Sequence, residues 1–219
     1  MTTTVFECYS DEVGDWFFHC HLLYHMKSGM SRLVHYEDFQ PAPEVQSVRS
    51  RLYKDPVYFF GSADLSSNMT EGSLTLTNSR FSLDAAWEVG WQQVEETEWE
   101  GLVTGDYHFN RFSSIFAGID LLGEGSASEE TRGVAGLRYL LPLNFESAFW
   151  IDTDGGGRFF LEKGLQLTPR LEMDIEVEYD THTQWEGKIE ASYIVGRNVS
   201  LIANWHSEYA FGVGIRMLF

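Results

Sequence analysis

The chain has 219 residues, 33 Asp and Glu against 15 Lys and Arg, a formal net charge of -18 and a pI near 4.6. That balance excludes a nucleic-acid partner, whose phosphates need clustered Lys and Arg, and suits a surface or lumen that attracts cations. No run of about 18 apolar residues occurs, which excludes a transmembrane helix. The mean hydropathy of -0.22 leaves membrane strands open, because half of each barrel strand is polar. Aromatic residues are 15% of the chain, with 7 Trp and 10 Tyr, as expected where aromatic girdles meet two membrane interfaces.

In chain order, residues 2–9 (TTTVFECY) read as a strand and residues 10–15 (SDEVGD) as a turn. Cys8 and Cys20 are too few for a disulfide framework. Residues 1–12 carry neither the basic nor the apolar region of a secretory leader. The expectation is therefore an upstream segment, or a reading frame that starts inside an older gene. Next comes WFFHCHLLYHMKSGM, which holds His19, Cys20, His21, His25 and Met30. Thiolate, imidazole and thioether at close spacing are the ligand types copper prefers. On a strand, Cys20 faces one way and His19 and His21 the other, so two copper centres can be served.

This run resembles the C-terminal copper motif of multicopper oxidases, particularly the periplasmic copper-resistance oxidases. The resemblance implies copper as cofactor, with Cys20, His25 and Met30 as type 1 ligands and His19 and His21 each on one copper of a trinuclear cluster. It covers about residues 2–37 only. The further His-rich motifs of the family are missing, and His35, His108, His182 and His206 form no HxH pair. The segment thus reads as the severed tail of an oxidase. Oxidase activity by this chain alone is not expected, whereas copper binding through Cys20, His25 and Met30 is retained as a candidate. A periplasmic multicopper oxidase is the implied partner.

Residues 38–44 (DFQPAPE) have two prolines and no period, and read as a linker. Residues 45–54 (VQSVRSRLYK) are basic through Arg49, Arg51 and Lys54, a solvated linker or a short helix at an acidic barrel mouth.

From residue 57 about twelve strands can be placed, at 57–66, 72–79, 81–93, 98–109, 111–123, 131–141, 144–154, 158–168, 170–181, 185–195, 198–208 and 210–219. The clearest is RLEMDIEVEYD at 170–180: Leu171, Met173, Ile175, Val177 and Tyr179 alternate with Glu172, Asp174, Glu176, Glu178 and Asp180. Strict alternation over about ten residues matches a tilted strand crossing a bilayer, with lipid on one side and a lumen on the other. Tight turns, such as those at 78–80 and 196–198, alternate with longer or more polar connections at 67–71, 94–97, 123–130 and 182–184. An even strand count puts both termini on one side, the periplasmic one in an outer-membrane barrel.

The last strand, AFGVGIRMLF, ends on Phe219, and a terminal aromatic resembles the assembly signal of bacterial outer-membrane barrels. GVAGLRYLLP at 133–142, NFE at 144–146 with Phe149, LQLTPRLE at 165–172 and GVGIR at 212–216 resemble the copper resistance protein B family of outer-membrane proteins, over about residues 98–219. The Met- and His-rich segment that precedes the barrel in that family is absent here. The resemblance implies copper resistance or homeostasis, by binding, sequestering or exporting copper across the outer membrane.

Alternation places Asp84, Glu88, Glu100, Asp106, Glu172, Asp174, Glu176, Glu178, Glu186 and Glu190 in the lumen, with Arg138, Arg170, Lys188 and Arg216 as candidate partners. His108 and His206 are candidate softer ligands, and Lys163 is expected near the external rim. Ion pairs that plug the barrel and surplus carboxylates that attract cations are both open. No Gly-x-Ser-x-Gly motif supports a catalytic barrel, and His206–Ser207 is a weak lead. The expected architecture is all-β: residues 1–40 an oxidase-derived, cupredoxin-like fragment, 41–56 a linker and 57–219 an antiparallel transmembrane β-barrel in outer-membrane lipid.

Overall fold

The computed structural model describes residues 9, 11–19, 31–40, 42–43, 55–125 and 128–219. It divides into two units, Met1–Pro56 and Val57–Phe219. In the first, β1 (Asp15–His19) and β2 (Ser31–His35) pair antiparallel, with Phe17 opposite Leu33. At the open end of this pair, His35 Nδ1 and Asp15 Oδ1 lie 2.6 Å apart. Asp15, read as a turn residue, thus opens β1.

The second unit is a closed antiparallel barrel of twelve strands. These are β3 (Tyr58–Ser66), β4 (Met69–Thr77), β5 (Phe81–Gly90), β6 (Glu98–Asn110), β7 (Ser113–Glu124), β8 (Ser128–Leu141), β9 (Phe145–Asp152), β10 (Gly157–Gln166), β11 (Leu171–Asp180), β12 (Gln184–Ile194), β13 (Val199–His206) and β14 (Ala210–Leu218). Each pairs with its neighbours in sequence, and β14 closes on β3 with Ile215 opposite Leu65. Closure leaves no strand edge with unpaired N–H and C=O groups, the condition for crossing lipid with strands.

Outward positions are apolar and exposed, among them Leu83, Ile119, Leu137, Ile151, Val177, Leu201 and Val213. Trp91, Trp185 and Trp205 are exposed toward one end, and Phe59, Phe81, Phe109, Tyr139, Tyr193 and Phe219 toward the other. An apolar band between two aromatic rims is the surface a bilayer demands of a barrel. Most inward positions are polar or charged: Asp64, Thr104, Asp106, Asp120, Arg158, Asp180, Lys188 and Glu190 are all buried.

The barrel starts and finishes at one end, here the terminus end, whose turns are 78–80, 111–112, 142–144, 167–170 and 195–198. The opposite loop end has connections 67–68, 91–97, 125–127, 153–156, 181–183 and 207–209. Two details differ from the sequence reading. The longer connection expected at 67–71 is a tight turn, and β4 begins at Met69. Asn68 explains this: it is buried, and its Nδ2 donates to the carbonyls of Tyr209 (3.3 Å) and Ala210 (3.1 Å), drawing the turn into the barrel. Lys163, expected at the external rim, lies near the terminus end, because β10 runs from the loop end downward. Its Nζ donates to the carbonyls of Leu143 and Asn144 in the 142–144 turn.

Candidate functional site

The lumen has two contrasting sides. On the β6–β10 side, Phe116, Val134, Ala148 and Trp150 form a buried apolar cluster, against which Leu102 and Phe160 pack. Phe116 and Trp150 meet edge to face, with centroids 5.9 Å apart. These inward apolar side chains fill part of the bore, as a barrel of this size allows.

The rest is acidic, and the register explains how. Asp64, Glu71, Glu88 and Glu100 are direct partners along β3, β4, β5 and β6. On the other side Glu146, Glu162 and Glu176 are partners along β9, β10 and β11, and the row continues to Lys188 and His206. Glu178 faces Glu186, and Asp174 faces Glu190. Like charges directly opposite one another destabilise a sheet, so these rows require cations.

Three cations answer them, Arg158 and Lys188 buried and Arg216 half-buried. Arg158 touches four carboxylates: its Nη1 donates to Glu100, its Nε lies 2.7 Å from Asp180 and 3.1 Å from Glu178, and its Nη2 is 3.6 Å from Asp120. Arg216 binds Asp64 at 2.6 Å and Glu190 at 2.5 Å, with Asp174 at 3.7 Å. The Lys188 ammonium donates to Glu71. Toward the terminus end, Arg138 holds Asp106 at 2.9 Å and lies over the Phe116 ring at 4.4 Å. These groups surround a cavity of about 370 Å³ lined by Glu88, Glu162, Glu176, Glu186 and His206 as well. A second chamber of about 260 Å³ opens beside it, lined by Glu172, Asp174 and Glu190.

At the loop end the 207–209 turn folds inward. Tyr209 is buried, stacks on His206 at 4.7 Å and gives its hydroxyl to Glu98 Oε2 at 3.3 Å. It rests on Gly90, where any Cβ would lie 2.2 Å from the phenol ring. Burial pushes the Tyr209 phenol above its ordinary range, and the charges of Glu88 and Glu98 add to this. The neighbouring Glu208 is an exposed residue of the turn, and partial desolvation, followed by the charges of Glu186, Glu98 and Glu100, pushes its carboxyl up to about 7.

Among the described residues, one group could hold a metal by geometry: Asp64, Glu71 and Glu190, whose oxygens lie within 4.8 Å of one another. An all-carboxylate set suits hard cations rather than copper, and Arg216 and Lys188 already engage it. The softer candidates are dispersed. His108 Nε2 lies 3.2 Å from Ser82 Oγ. His206 is buried, 3.8 Å from Glu88. Ser82 Oγ donates to Asp84 Oδ2 at 2.8 Å, with the His108 ring on its other side.

Of the copper candidates, His19 ends β1, while Cys20, His21, His25 and Met30 lie outside the described residues, as do Cys8, Arg49, Arg51 and Lys54. The luminal candidates Glu88, Glu100, Glu176, Glu178, Glu186, Glu190, Arg138, Lys188 and Arg216 do converge. Arg170 does not: it is exposed in the 167–170 turn. Sequence reasoning missed Arg158, the most connected cation, and its partner Asp120, whereas Asp180 already stood on the acidic face of the 170–180 strand. Extending even-position alternation to β10 would have found Arg158.

A family model for multicopper oxidases matches residues 1–40. No curated protein matches the chain. Among solved structures, a KdgM porin in complex with disordered oligogalacturonate is similar at 17% identity, over 74% of this chain and 98% of that one, with a TM-score of 0.46. Outer membrane phospholipase A from Escherichia coli is similar at 12% identity, over 74% and 92%, with a TM-score of 0.46. A mutant porin of Rhodopseudomonas blastica is similar at 16% identity, over 69% and 56%, with a TM-score of 0.39.

Proposed function

We propose that this protein is an outer-membrane barrel of a bacterial copper-handling system, with its terminus end in the periplasm. Its acidic lumen draws in cations, and residues 1–40 bind copper through His19, Cys20, His21, His25 and Met30. The observation that carries the luminal half is the pair of carboxylate rows meeting around the cavity, which outnumber the Arg and Lys groups among them. Clefts of one charge sign between low-dielectric walls concentrate counter-ions. The oxidase match over residues 1–40 supports the copper half, because carboxylates alone do not select copper.

The full chain reconstituted in planar bilayers tests the first half: a reversal potential favouring cations is expected, and none or an anion preference refutes it. Copper(I) titration against a chromophoric chelator tests the second. Replacing Cys20, His25 and Met30 with Ala should abolish binding, and unchanged binding refutes the assignment. The apolar cluster around Phe116 and Trp150 favours a second reading, a sealed structural barrel. Absence of any conductance supports that reading.

A further inference from the structure

Every Lys and Arg of the barrel unit stands in one of two places. Arg132, Arg138, Arg158, Lys188 and Arg216 pair with luminal or mouth carboxylates. Arg80, Arg111, Lys163, Arg170 and Arg197 stand at the terminus end, one to each of its five turns. Four of them lie within the turns, and Lys163 reaches the fifth from the wall of β10 through the carbonyls of Leu143 and Asn144. The four arginines are exposed, and none of the five cations pairs with a carboxylate among the described residues.

The loop end is the opposite. Its connections carry Glu95, Glu96, Asp154 and Glu208, and neither Lys nor Arg. In a chain of net charge -18, a ring of cations at one rim with no carboxylate paired to it is a surface complementary to an anionic neighbour. The barrel's carboxylates nearest that rim do not pair with it: Glu162, Glu172 and Asp174 face the lumen, and Glu146 lines one chamber with Arg111 without an ion pair between them.

Each cation also has an apolar companion at the same height. Arg80 adjoins exposed Phe81, and the Arg111 guanidinium lies 4.4 Å from the centre of the Phe112 ring. Lys163 Nζ is 5.5 Å from the centre of the Phe145 ring. Leu167 and Val195, both exposed, share turns with Arg170 and Arg197. A cation beside an apolar body is the arrangement of the headgroup layer, where the stem meets acyl chains and the charge meets phosphate.

We propose that the terminus-end rim is a binding surface for anionic phospholipid headgroups. The ring holds the barrel in a leaflet that carries such lipids, and it does so independently of copper or of residues 1–40. Basic groups near an anionic membrane surface each add to the attraction, within the reach of salt screening.

The full chain, refolded in mixed micelles with equal phosphatidylglycerol and phosphatidylcholine, is examined by native mass spectrometry for retained lipid. A phosphatidylglycerol preference of about tenfold is expected at low salt. It should vanish when Arg80, Arg111, Lys163, Arg170 and Arg197 are all replaced with Gln, and persist in Arg138→Gln. Persistence in the rim variant, or equal loss in Arg138→Gln, overturns the proposal. The wild type decides alone if the rim variant does not refold: a preference unchanged in about 0.5 M salt overturns it. Inorganic phosphate that displaces the lipid at equal concentration would assign the rim to free phosphate and likewise overturn it.

Discussion

Lys188 on β12 gives its ammonium to Glu71 on β4, joining two strands that stand four places apart around the barrel. Arg158 on β10 does the same to Glu100 on β6. The bore is thus braced by ion pairs between strands that share no backbone hydrogen bonds.

Lys188→Met should destabilise the barrel. Lys188 and Glu71 are largely withdrawn from water, and removing one partner of such a pair leaves the other uncompensated, a loss of about 3–5 kcal/mol. Glu176, its register partner, loses its counter-ion as well. Urea unfolding in lipid vesicles, followed by tryptophan fluorescence, measures this. The double variant with Glu71→Gln should recover part of the loss, and an unshifted midpoint in the single variant would refute the brace.

Gly90→Ala should expel Tyr209 from the lumen. The new methyl would collide with the phenol ring, and overpacking of this kind costs about 1–3 kcal/mol. The expelled phenol leaves the buried surroundings that push its ionisation up. Ultraviolet difference titration, with Tyr209→Phe as the blank, should show one tyrosine ionising at lower pH in Gly90→Ala than in the wild type.

Glu208 should make stability depend on pH. Its folded pKa is raised to about 7, above the ordinary value of an unfolded glutamate, so the folded state holds the extra proton between those two values. Stability therefore falls as pH rises through this window, and the loss is complete above about 7. Glu208→Gln removes the contribution: the variant should gain on the wild type between pH 5 and pH 8. A difference that does not change with pH refutes the assignment.

Stripping copper with a chelator should leave the barrel's unfolding midpoint in place. The proposed ligands belong to residues 1–40, and the luminal group of Asp64, Glu71 and Glu190 is all carboxylate. A lower midpoint after chelation would move the copper site into the lumen.

Much of the barrel was legible residue by residue. The alternation of Leu171 to Asp180 became β11 with its acidic face inward, because a side-chain period of two carries the in–out assignment directly. The turns at 78–80 and 196–198 were visible through Asn and Gly. The turn at 67–68 was misread because Asn68 serves as a buried donor to Tyr209 and Ala210, 141 and 142 residues away. Arg170 was misplaced for a different reason: alternation says which face a residue takes but not where the strand stops.

Alternation, turn residues and composition by themselves determined an all-β chain of about twelve strands with one carboxylate-rich face, because each follows from local pattern. Only the tertiary structure decided which carboxylates oppose one another, which cation each shares, and that the unpaired cations gather at one rim. Those facts depend on register and on closure of β14 against β3, and neither is written in any single stretch of the chain.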